Sequence, residues 1–236
     1  MAAAILISLA VILLPALKTE AAPSSSEPNQ LTESERQAGW KLLFDGKTTG
    51  GWRSFKKQTF PEKGWVVEGG WFKKVAEVRG GDIVSKDQFT DFELQWEWRL
   101  APKANSGLKY FITEERGTAV GHEYQMWDDL GKPVNKSSTA GFYAVLPPKE
   151  SKSVKPAGEI NQSRILVQGK HVEHWLNGEK TLEYELGSEE VMAGVAKSKF
   201  KSVEGFGTKI KGHILLTDHK DEAWLRSMKI RELSAK

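Results

Sequence analysis

The chain has 236 residues, with 34 Lys or Arg against 31 Asp or Glu, and a formal net charge of +3 at pH 7. The two signs are interspersed and form no basic stripe with interleaved aromatics, which argues against a nucleic-acid partner. The chain has no cysteine, which excludes disulfides, thiolate metal sites and thiol nucleophiles. The length fits one large domain, because all-β sandwiches commonly reach this size undivided.

The first segment of the chain has the pattern of an export signal. The apolar run Ala2–Leu14 is too short to span a bilayer and has the length of a signal-peptide core. The small residues Ala21 and Ala22 offer a cleavage region, and the Pro- and Ser-rich tether Pro23–Gln30 follows. We predict a signal peptide over 1–22, a tether and short helix over 23–38, and a single domain over 39–236. The protein is then secreted or periplasmic, an uncleaved membrane anchor being the alternative.

Two short helices are predicted among many strands. Thr32–Glu35 has the sequence of a capping box and predicts a helix ending near Gly39. Ser188 can cap a second helix that runs to about Phe200. Strands are predicted at Leu42–Phe44, Trp65–Glu68, Trp71–Lys73, Ile83–Ser85, Asp91–Leu100, Ser106–Ile112, His122–Trp127, Gly141–Val145, Arg164–Val167, His171–Leu176, Thr181–Leu186, His213–Thr217 and Trp224–Leu233.

The fold class follows from this spacing. Short strands with turn signals every 8–12 residues favour an all-β, two-sheet sandwich. The clearest alternation lies in Asp91–Leu100, where Phe92, Leu94, Trp96 and Trp98 are predicted to face the core. Glu93, Gln95 and Glu97 point the other way and form either a polar face or the lining of a cleft.

The segment Gly121–Asp129 carries the strongest functional pattern. As a strand it places Glu123, Gln125 and Trp127 on one face. The carboxylate and the amide can hydrogen-bond sugar hydroxyls, and the indole can cover a patch of C–H groups. The pattern therefore indicates a carbohydrate ligand.

Carboxylates near this strand allow two other interpretations. Glu123 and Asp128 could form the acid/base pair of a direct glycosidase, but Gln125 stands where a retaining-enzyme signature has an acidic residue. Asp128 and Asp129 could instead form the turn before Gly131. No cofactor is required by the sequence. A divalent metal, with Glu123 and Asp128 as candidate ligands, stays possible because oxygen ligands suit a hard cation.

Further candidates lie elsewhere in the chain. His219 is a candidate general base or acid, or simply an exposed loop histidine beside Asp218. Lys109 points either into a cleft or into water, and Asn105 can open its strand as a turn residue.

Eight motifs in the same order resemble one family, the 3-keto-disaccharide hydrolases, long carried as a domain of unknown function. They are LLFDGK with GW (Leu42–Lys47, Gly51–Trp52), DFEL (Asp91–Leu94), NSGLKYF (Asn105–Phe111), EYQMWDD (Glu123–Asp129), VKPAGEIN (Val154–Asn161), HVEHWLNG (His171–Gly178), GHILLTDH (Gly212–His219) and MKIREL (Met228–Leu233). The resemblance covers about residues 39–233 and implies a jelly roll similar to concanavalin A-type lectins and glucanases.

The resemblance also implies a reaction. The substrate would be a glycoside already oxidised to a ketone at C3, supplied by a sugar 3-dehydrogenase as partner. Such a ketone acidifies the C2 proton, so the chemistry needs one base, a donor at the C3 oxygen and an acid for the leaving group. We assign His219 or Glu123 as the base and Lys109 with Asn105 as enolate stabilisers. Gln125, Trp127 and Tyr143 complete the expected substrate-binding set.

Three positions depart from the family pattern. Ile160 replaces Trp in the GEWN motif, Thr217 replaces Gln in LLQDH, and Phe111 stands at a usual Arg position. Lys109 lies two residues before Phe111 and can supply the missing cation. The alternatives to this function are a non-catalytic carbohydrate-binding module and a direct glucanase that uses Glu123.

Overall fold

Thirteen strands dominate residues 27–234, the part of the chain that the computed structural model describes. The pairings are antiparallel throughout and form two sheets. The helices are α1 Glu33–Gln37 and α2 Glu189–Ala196. The strands are β1 Lys41–Leu42, β2 Trp52–Ser54, β3 Trp65–Glu68, β4 Trp71–Lys74, β5 Ile83–Phe89, β6 Phe92–Leu100, β7 Asn105–Ile112, β8 His122–Trp127, β9 Asn161–Gln168, β10 His171–Leu176, β11 Glu179–Glu185, β12 Gly212–Leu216 and β13 Ala223–Glu232.

The two sheets differ in size and pack face to face. The larger has the order β11-β10-β9-β6-β13-β4-β3, with β1 also paired to β13, and the smaller has the order β2-β5-β12-β7-β8. One cluster of buried apolar side chains takes members from both sheets, so the core lies between them. The predicted all-β two-sheet sandwich is confirmed.

Strand β6 shows how the alternation in the sequence builds this core. Phe92, Leu94, Trp96 and Trp98 are buried in the apolar cluster. The polar residues between them face outward from the larger sheet, because successive strand residues point to opposite faces. The Trp98 indole N–H finds a partner inside the core, donating to Ser163 Oγ over 2.8 Å. The predicted orientation of β6 is therefore confirmed.

Replacing Trp96 by Ala should destabilise the fold by about 3–5 kcal/mol, the usual cost of deleting a large buried aromatic side chain. The Trp96 side chain is 2% exposed, and its ring meets the Tyr124 ring edge-on at 4.9 Å between centroids. Urea unfolding of the two proteins would measure the difference. A loss below about 1 kcal/mol would contradict the burial of this side chain in the folded state.

Both predicted helix starts are confirmed, but the second helix is shorter than predicted. Thr32 and Glu35 form the predicted capping box, and Ser188 caps α2 by accepting from the Val191 amide. Helix α2 ends at Ala196 rather than near Phe200. The Ser198 hydroxyl donates to the Val195 carbonyl over 2.8 Å and accepts from the Phe200 amide over 3.0 Å. These local bonds replace the helical pattern in this segment.

The strand predicted at Gly141–Val145 is wrong. Phe142 forms only isolated bridges, to Tyr124 and to Leu146. The backbone turns on either side of it, since Ala140 and Ala144 have φ values of 67° and 63°, in the left-handed region that breaks a strand. The segment nevertheless runs beside β8, because the Tyr143 amide donates to the Glu123 carbonyl over 3.0 Å.

The signal peptide predicted at 1–22 and most of the tether lie outside the described residues. Within residues 27–234, no helix combines the length and the apolar character needed to cross a membrane.

Candidate functional site

Most of the predicted site residues lie on the outer face of the smaller sheet. Strand β8 points Tyr124 and Met126 into the core, so Glu123, Gln125 and Trp127 point outward. In the pairing of β7 with β8, Lys109 lies opposite Glu123 and Asn105 lies opposite Trp127. Two adjacent strands therefore present a carboxylate, an ammonium, two amides and an indole on one surface.

Glu123 is the most unusual group on this surface. Its side chain is only 6% exposed, yet its carboxylate accepts no hydrogen bond from any residue between 27 and 234. The nearest cation is the Lys109 ammonium, with 4.0 Å between Nζ and Oε2. Burial raises the pKa of the Glu123 carboxyl above its ordinary value of 4.5, and the charges of Lys109 and Lys199 only partly oppose this. Such a carboxylate is suited to take a proton from a ligand.

Gly107 makes room for the Glu123 carboxylate. A Cβ atom at Gly107 would lie 2.0 Å from Glu123 Oε1, so any side chain here would displace the carboxylate. Thr217 anchors the same glycine, donating to its carbonyl from the backbone amide over 3.1 Å and from the hydroxyl over 2.9 Å. Thr217, a departure from the family pattern, is therefore a buried support for this position.

The two amide side chains are coupled. Gln125 Nε2 donates to Asn105 Oδ1 over 3.1 Å, and the Asn105 backbone amide donates to Asp221 Oδ2 over 2.8 Å. Gln125 Oε1 is buried and has no hydrogen-bond partner among the described residues. The pair therefore retains one unused hydrogen-bond acceptor inside the site.

Each of the two predicted aromatic residues, Tyr143 and Trp127, has a lysine packed against its ring. The Lys199 ammonium lies 4.6 Å from the centroid of the Tyr143 ring and 3.4 Å from its hydroxyl. The Lys132 ammonium lies 3.8 Å from the centroid of the Trp127 ring. Each lysine holds its ring by a cation–π contact, and the Lys199 charge also acts on Glu123.

His219 reaches this surface from a loop and not from a strand. Strand β12 ends at Leu216 and has an irregularity between His213 and Leu215, so the regular alternation that would place His219 on the strand face is lost. The side chain is exposed. Partial loss of hydration and the Lys109 charge lower the pKa of His219, while Asp221 and Asp82 oppose the shift. The imidazole is therefore neutral at pH 7 and able to accept a proton.

The carboxylate next to His219 in the sequence serves another purpose. Asp218 Oδ1 lies 3.0 Å from the buried Lys74 ammonium, and Oδ2 accepts from the backbone amides of Gly80 and Gly81. These bonds hold two loops together. The carboxylates that act on His219 are those of Asp221, two residues further along the chain, and of Asp82, which comes from a distant segment.

Asp128 and Asp129 stabilise loops. Asp128 Oδ2 accepts from the Lys103 amide over 2.7 Å. Asp129 is buried, accepts from the Thr139 amide over 3.0 Å and lies 3.0 Å from the Lys152 ammonium. These contacts agree with the turn-forming interpretation.

A metal-ligand arrangement does not form around Glu123 in the described residues. The single group of three or more closely spaced metal-ligand side chains between residues 27 and 234 is His171, Glu173 and Glu183. It lies on β10 and β11 of the other sheet. The Lys180 ammonium already lies 3.2 Å from Glu173 Oε1 within this group. The candidate pair Glu123 and Asp128 is not part of it.

The three remaining histidines have structural roles. His122 is buried, accepts from the Gly207 amide, and has its pKa lowered by burial to about 3. His174 is buried between the Tyr110 hydroxyl and the Ala140 carbonyl, and burial lowers its pKa to about 4. His213 bonds the Ser85 carbonyl and the Gln88 amide. The His122 and His174 rings are therefore neutral at pH 7, and the His213 ring is held by its bonds to Ser85 and Gln88.

Two facing antiparallel sheets with a polar and aromatic outer face define a β-sandwich protein. Residues 39–231 match the model of the 3-keto-alpha-glucoside-1,2-lyase-like domain, and the chain belongs to that family. A protein of Bacteroides thetaiotaomicron named 3-keto-disaccharide hydrolase is 31% identical over 231 residues, covering 83% of this chain and 79% of the relative.

Two solved structures from Parabacteroides distasonis share the fold. One proposed glycosyl hydrolase superposes with a TM-score of 0.79 at 32% identity, covering 88% of this chain and 100% of the other. A second superposes with a TM-score of 0.67 at 24% identity, covering 82% and 99% of the two chains. The second shows the fold alone.

Proposed function

We propose that the protein is an exported enzyme that cleaves 3-keto-glycosides by β-elimination followed by hydration. The observation that carries the proposal is Glu123, a nearly buried carboxylate with a raised pKa and without a hydrogen-bond donor among residues 27–234. A site that only bound sugar would more commonly saturate such a group with donors. The family membership and the named 3-keto-disaccharide hydrolase relative support the substrate class.

The chemistry balances without an external oxidant. The base takes the proton from C2, and the electron pair delocalises onto the C3 oxygen as an enolate. When the C3 carbonyl re-forms, a C1–C2 double bond forms and the C1–O bond to the leaving group breaks. An acid protonates the departing oxygen. Water then adds at C1 and a proton returns to C2, which releases the free 3-keto sugar.

The residues on the sheet face suit these steps. Glu123 is the base, with the neutral His219 as the second group that can exchange a proton. Lys109 and Asn105 stabilise the charge that develops on the C3 oxygen, and Gln125 bonds a hydroxyl. Trp127 and Tyr143 pack against the sugar ring. One base suffices, in agreement with the amide at Gln125, where a glycosidase that uses two adjacent carboxylates would carry an acid.

Reaction in heavy water tests the elimination step. Because the proposed mechanism removes the C2 proton and replaces it from solvent, the released 3-keto sugar should carry deuterium at C2. Mass spectrometry or proton NMR of the product would measure it, after subtraction of the label that the free product gains by itself. Direct displacement at C1 leaves C2 unlabelled, so an unlabelled product would exclude β-elimination.

Measuring sugar release distinguishes the proposed enzyme from two rival functions. A carbohydrate-binding module would release no sugar from either a 3-keto-glucoside or its unoxidised parent. A direct glucanase using Glu123 would cut the unoxidised parent. The proposed enzyme cuts only the 3-keto-glucoside. Its rate falls on the acid side of the pH profile.

The proposal includes export and a supply of substrate. Residues 1–22 would be removed, so N-terminal sequencing of the protein from its host should begin near Ala22 or Pro23; recovery of intact Met1 in membranes would favour an anchor. The proposed source of the C3 ketone is a sugar 3-dehydrogenase, since elimination and hydration do not create a ketone.

A further inference from the structure

A cavity of 610 Å³ lies between helix α1 and the outer face of the larger sheet. It is on the opposite side of the sandwich from Glu123. Its volume is within the range of small-molecule sites, about 300–1,000 Å³. Its walls include Gln95, Gln162, Arg164, Trp175 and Lys229, and the catalytic proposal uses none of these side chains.

Four of these side chains form a row across the sheet. Trp175 on β10 pairs with Arg164 on β9, Arg164 pairs with Gln95 on β6, and Gln95 pairs with Lys229 on β13. Neighbouring strands lie about 4.8 Å apart, so the row is about 14 Å long. The length is that of two to three hexose rings.

The charges in this row are neutralised within the protein. Arg164 is bound to Glu93, with 2.5 Å between Nε and Oε1, and Lys229 is bound to Glu35 of α1. Glu97 on the cavity wall is bound to Arg226 over 2.7 Å. Each charged side chain of the row therefore has a partner of opposite sign, and the cavity favours a neutral ligand over an ionic one.

Unused hydrogen-bonding groups remain in the cavity. The side-chain amides of Gln95 and Gln162 donate to Glu93 and Glu97. Their carbonyl oxygens accept no hydrogen bond from any residue in the described range 27–234. Hydroxyl groups are the donors that such oxygens bind when the surrounding charges are already paired.

The indole of Trp175 is fixed in place at one end of the row. Its N–H donates to Glu173 Oε2 over 2.7 Å, and the Arg164 guanidinium packs against the ring with 4.8 Å to its centroid. Trp175 is half-buried, so part of a rigid apolar ring surface stays available beside the glutamine oxygens. A flat indole next to amide oxygens matches a sugar ring, which has C–H faces and equatorial hydroxyls.

We propose that this cavity is a second binding site of the protein, specific for a neutral oligosaccharide of two to three residues. The proposal does not depend on the reaction, because it requires neither a ketone nor Glu123.

Titration of the ¹⁵N-labelled full chain with trehalose, cellobiose and maltotriose tests this site. With at least one sugar, the signals of the Trp175 indole N–H and of the Gln95 and Gln162 side-chain amides should shift together and saturate. Gln162→Met removes one hydrogen bond and should weaken binding about three- to tenfold. Gln168→Met, on the same face of β9 but outside the cavity, is the matched control and should bind like the parent.

Two further variants separate the sites. Trp175→Ala should abolish the saturable shifts at Gln95 and Gln162, while Glu123→Gln should leave them intact. If Glu123→Gln removed them, the sugar would be bound at the catalytic face and the proposal would fail. It would also fail if no sugar gave saturable shifts, or if Gln162→Met and Trp175→Ala both bound normally. Shifts at Trp175 that follow protein concentration without sugar would identify an interface between copies instead.

Discussion

Replacing Glu123 by Gln is expected to lower kcat/KM for a 3-keto-glycoside by about 10²–10⁴-fold, the usual contribution of one positioned acid or base. The substitution keeps the shape of the side chain and removes its ability to accept the C2 proton. The parent should show an acid limb above pH 4.5, because burial raises the pKa of this carboxyl from that ordinary value. Steady-state kinetics from pH 4 to 9 would measure both effects. An unchanged rate would exclude Glu123 as the base and leave His219.

The same variant should not lose stability. A carboxyl whose pKa is raised on folding opposes the folded state once it is ionised, and its unfavourable contribution grows as the pH rises from 4.5 through the folded value. Gln removes that charge. The free energy of unfolding of Glu123→Gln at pH 7 should therefore equal or exceed that of the parent, so that lost activity cannot be attributed to unfolding.

Glu93 provides the matched control. It is also a buried glutamate on a strand, but it lies on the larger sheet and is bound by Arg164 and Arg231. Glu93→Gln should cost about 1–3 kcal/mol of stability, since it removes charge-assisted bonds from two partly exposed arginines. Its activity at temperatures well below unfolding should match the parent. The two substitutions therefore separate the roles of two buried carboxylates.

Gly107→Ala gives an independent test of the carboxylate position. The added methyl would occupy the place of Glu123 Oε1, only 2.0 Å away. The obstructed atom is the end of a side chain, so the fold should accommodate the methyl while the carboxylate moves. Turnover should fall as in Glu123→Gln, with stability close to that of the parent.

Lys109→Met should reduce turnover by about 10²–10³-fold, the usual cost of deleting one group that stabilises a developing oxyanion. It should also move the acid limb of the pH profile to higher pH. The Lys109 charge lowers the pKa of both Glu123 and His219, so removing it raises the pKa of whichever group is the base. The shift is therefore expected for either assignment.

Lys73→Met is the corresponding control for charge. Lys73 lies on β4 of the larger sheet and binds Glu68 and Glu222, away from the proposed site. Its variant should keep the rate and the pH profile of the parent. An acid limb that stayed in place in Lys109→Met would show that Lys109 does not act on the base.

Local patterns in the sequence were sufficient to predict the two-sheet architecture of the protein. Alternation along Phe92–Leu100 defined which side chains enter the core, because side-chain direction in a strand depends only on position. Capping at Thr32 and Ser188 located the helix starts, because the groups that satisfy the first amides lie within three residues. The strand predicted around Phe142 is wrong, because the composition of the segment favours a strand while its flanking alanines adopt positive φ values.

The alternation of β8 likewise places Glu123, Gln125 and Trp127 on one face. The sequence by itself therefore determined both the two-sheet sandwich and these three residues of the site. Only the tertiary structure decided which groups surround them. Lys199 and Asp82 come from distant segments, so no spacing in the chain could bring them to Glu123. Burial of Glu123 and the space left by Gly107 likewise depend on contacts between strands. The raised proton affinity of Glu123 arises from the desolvation that these contacts create, which is a property of the packed fold and not of any local pattern.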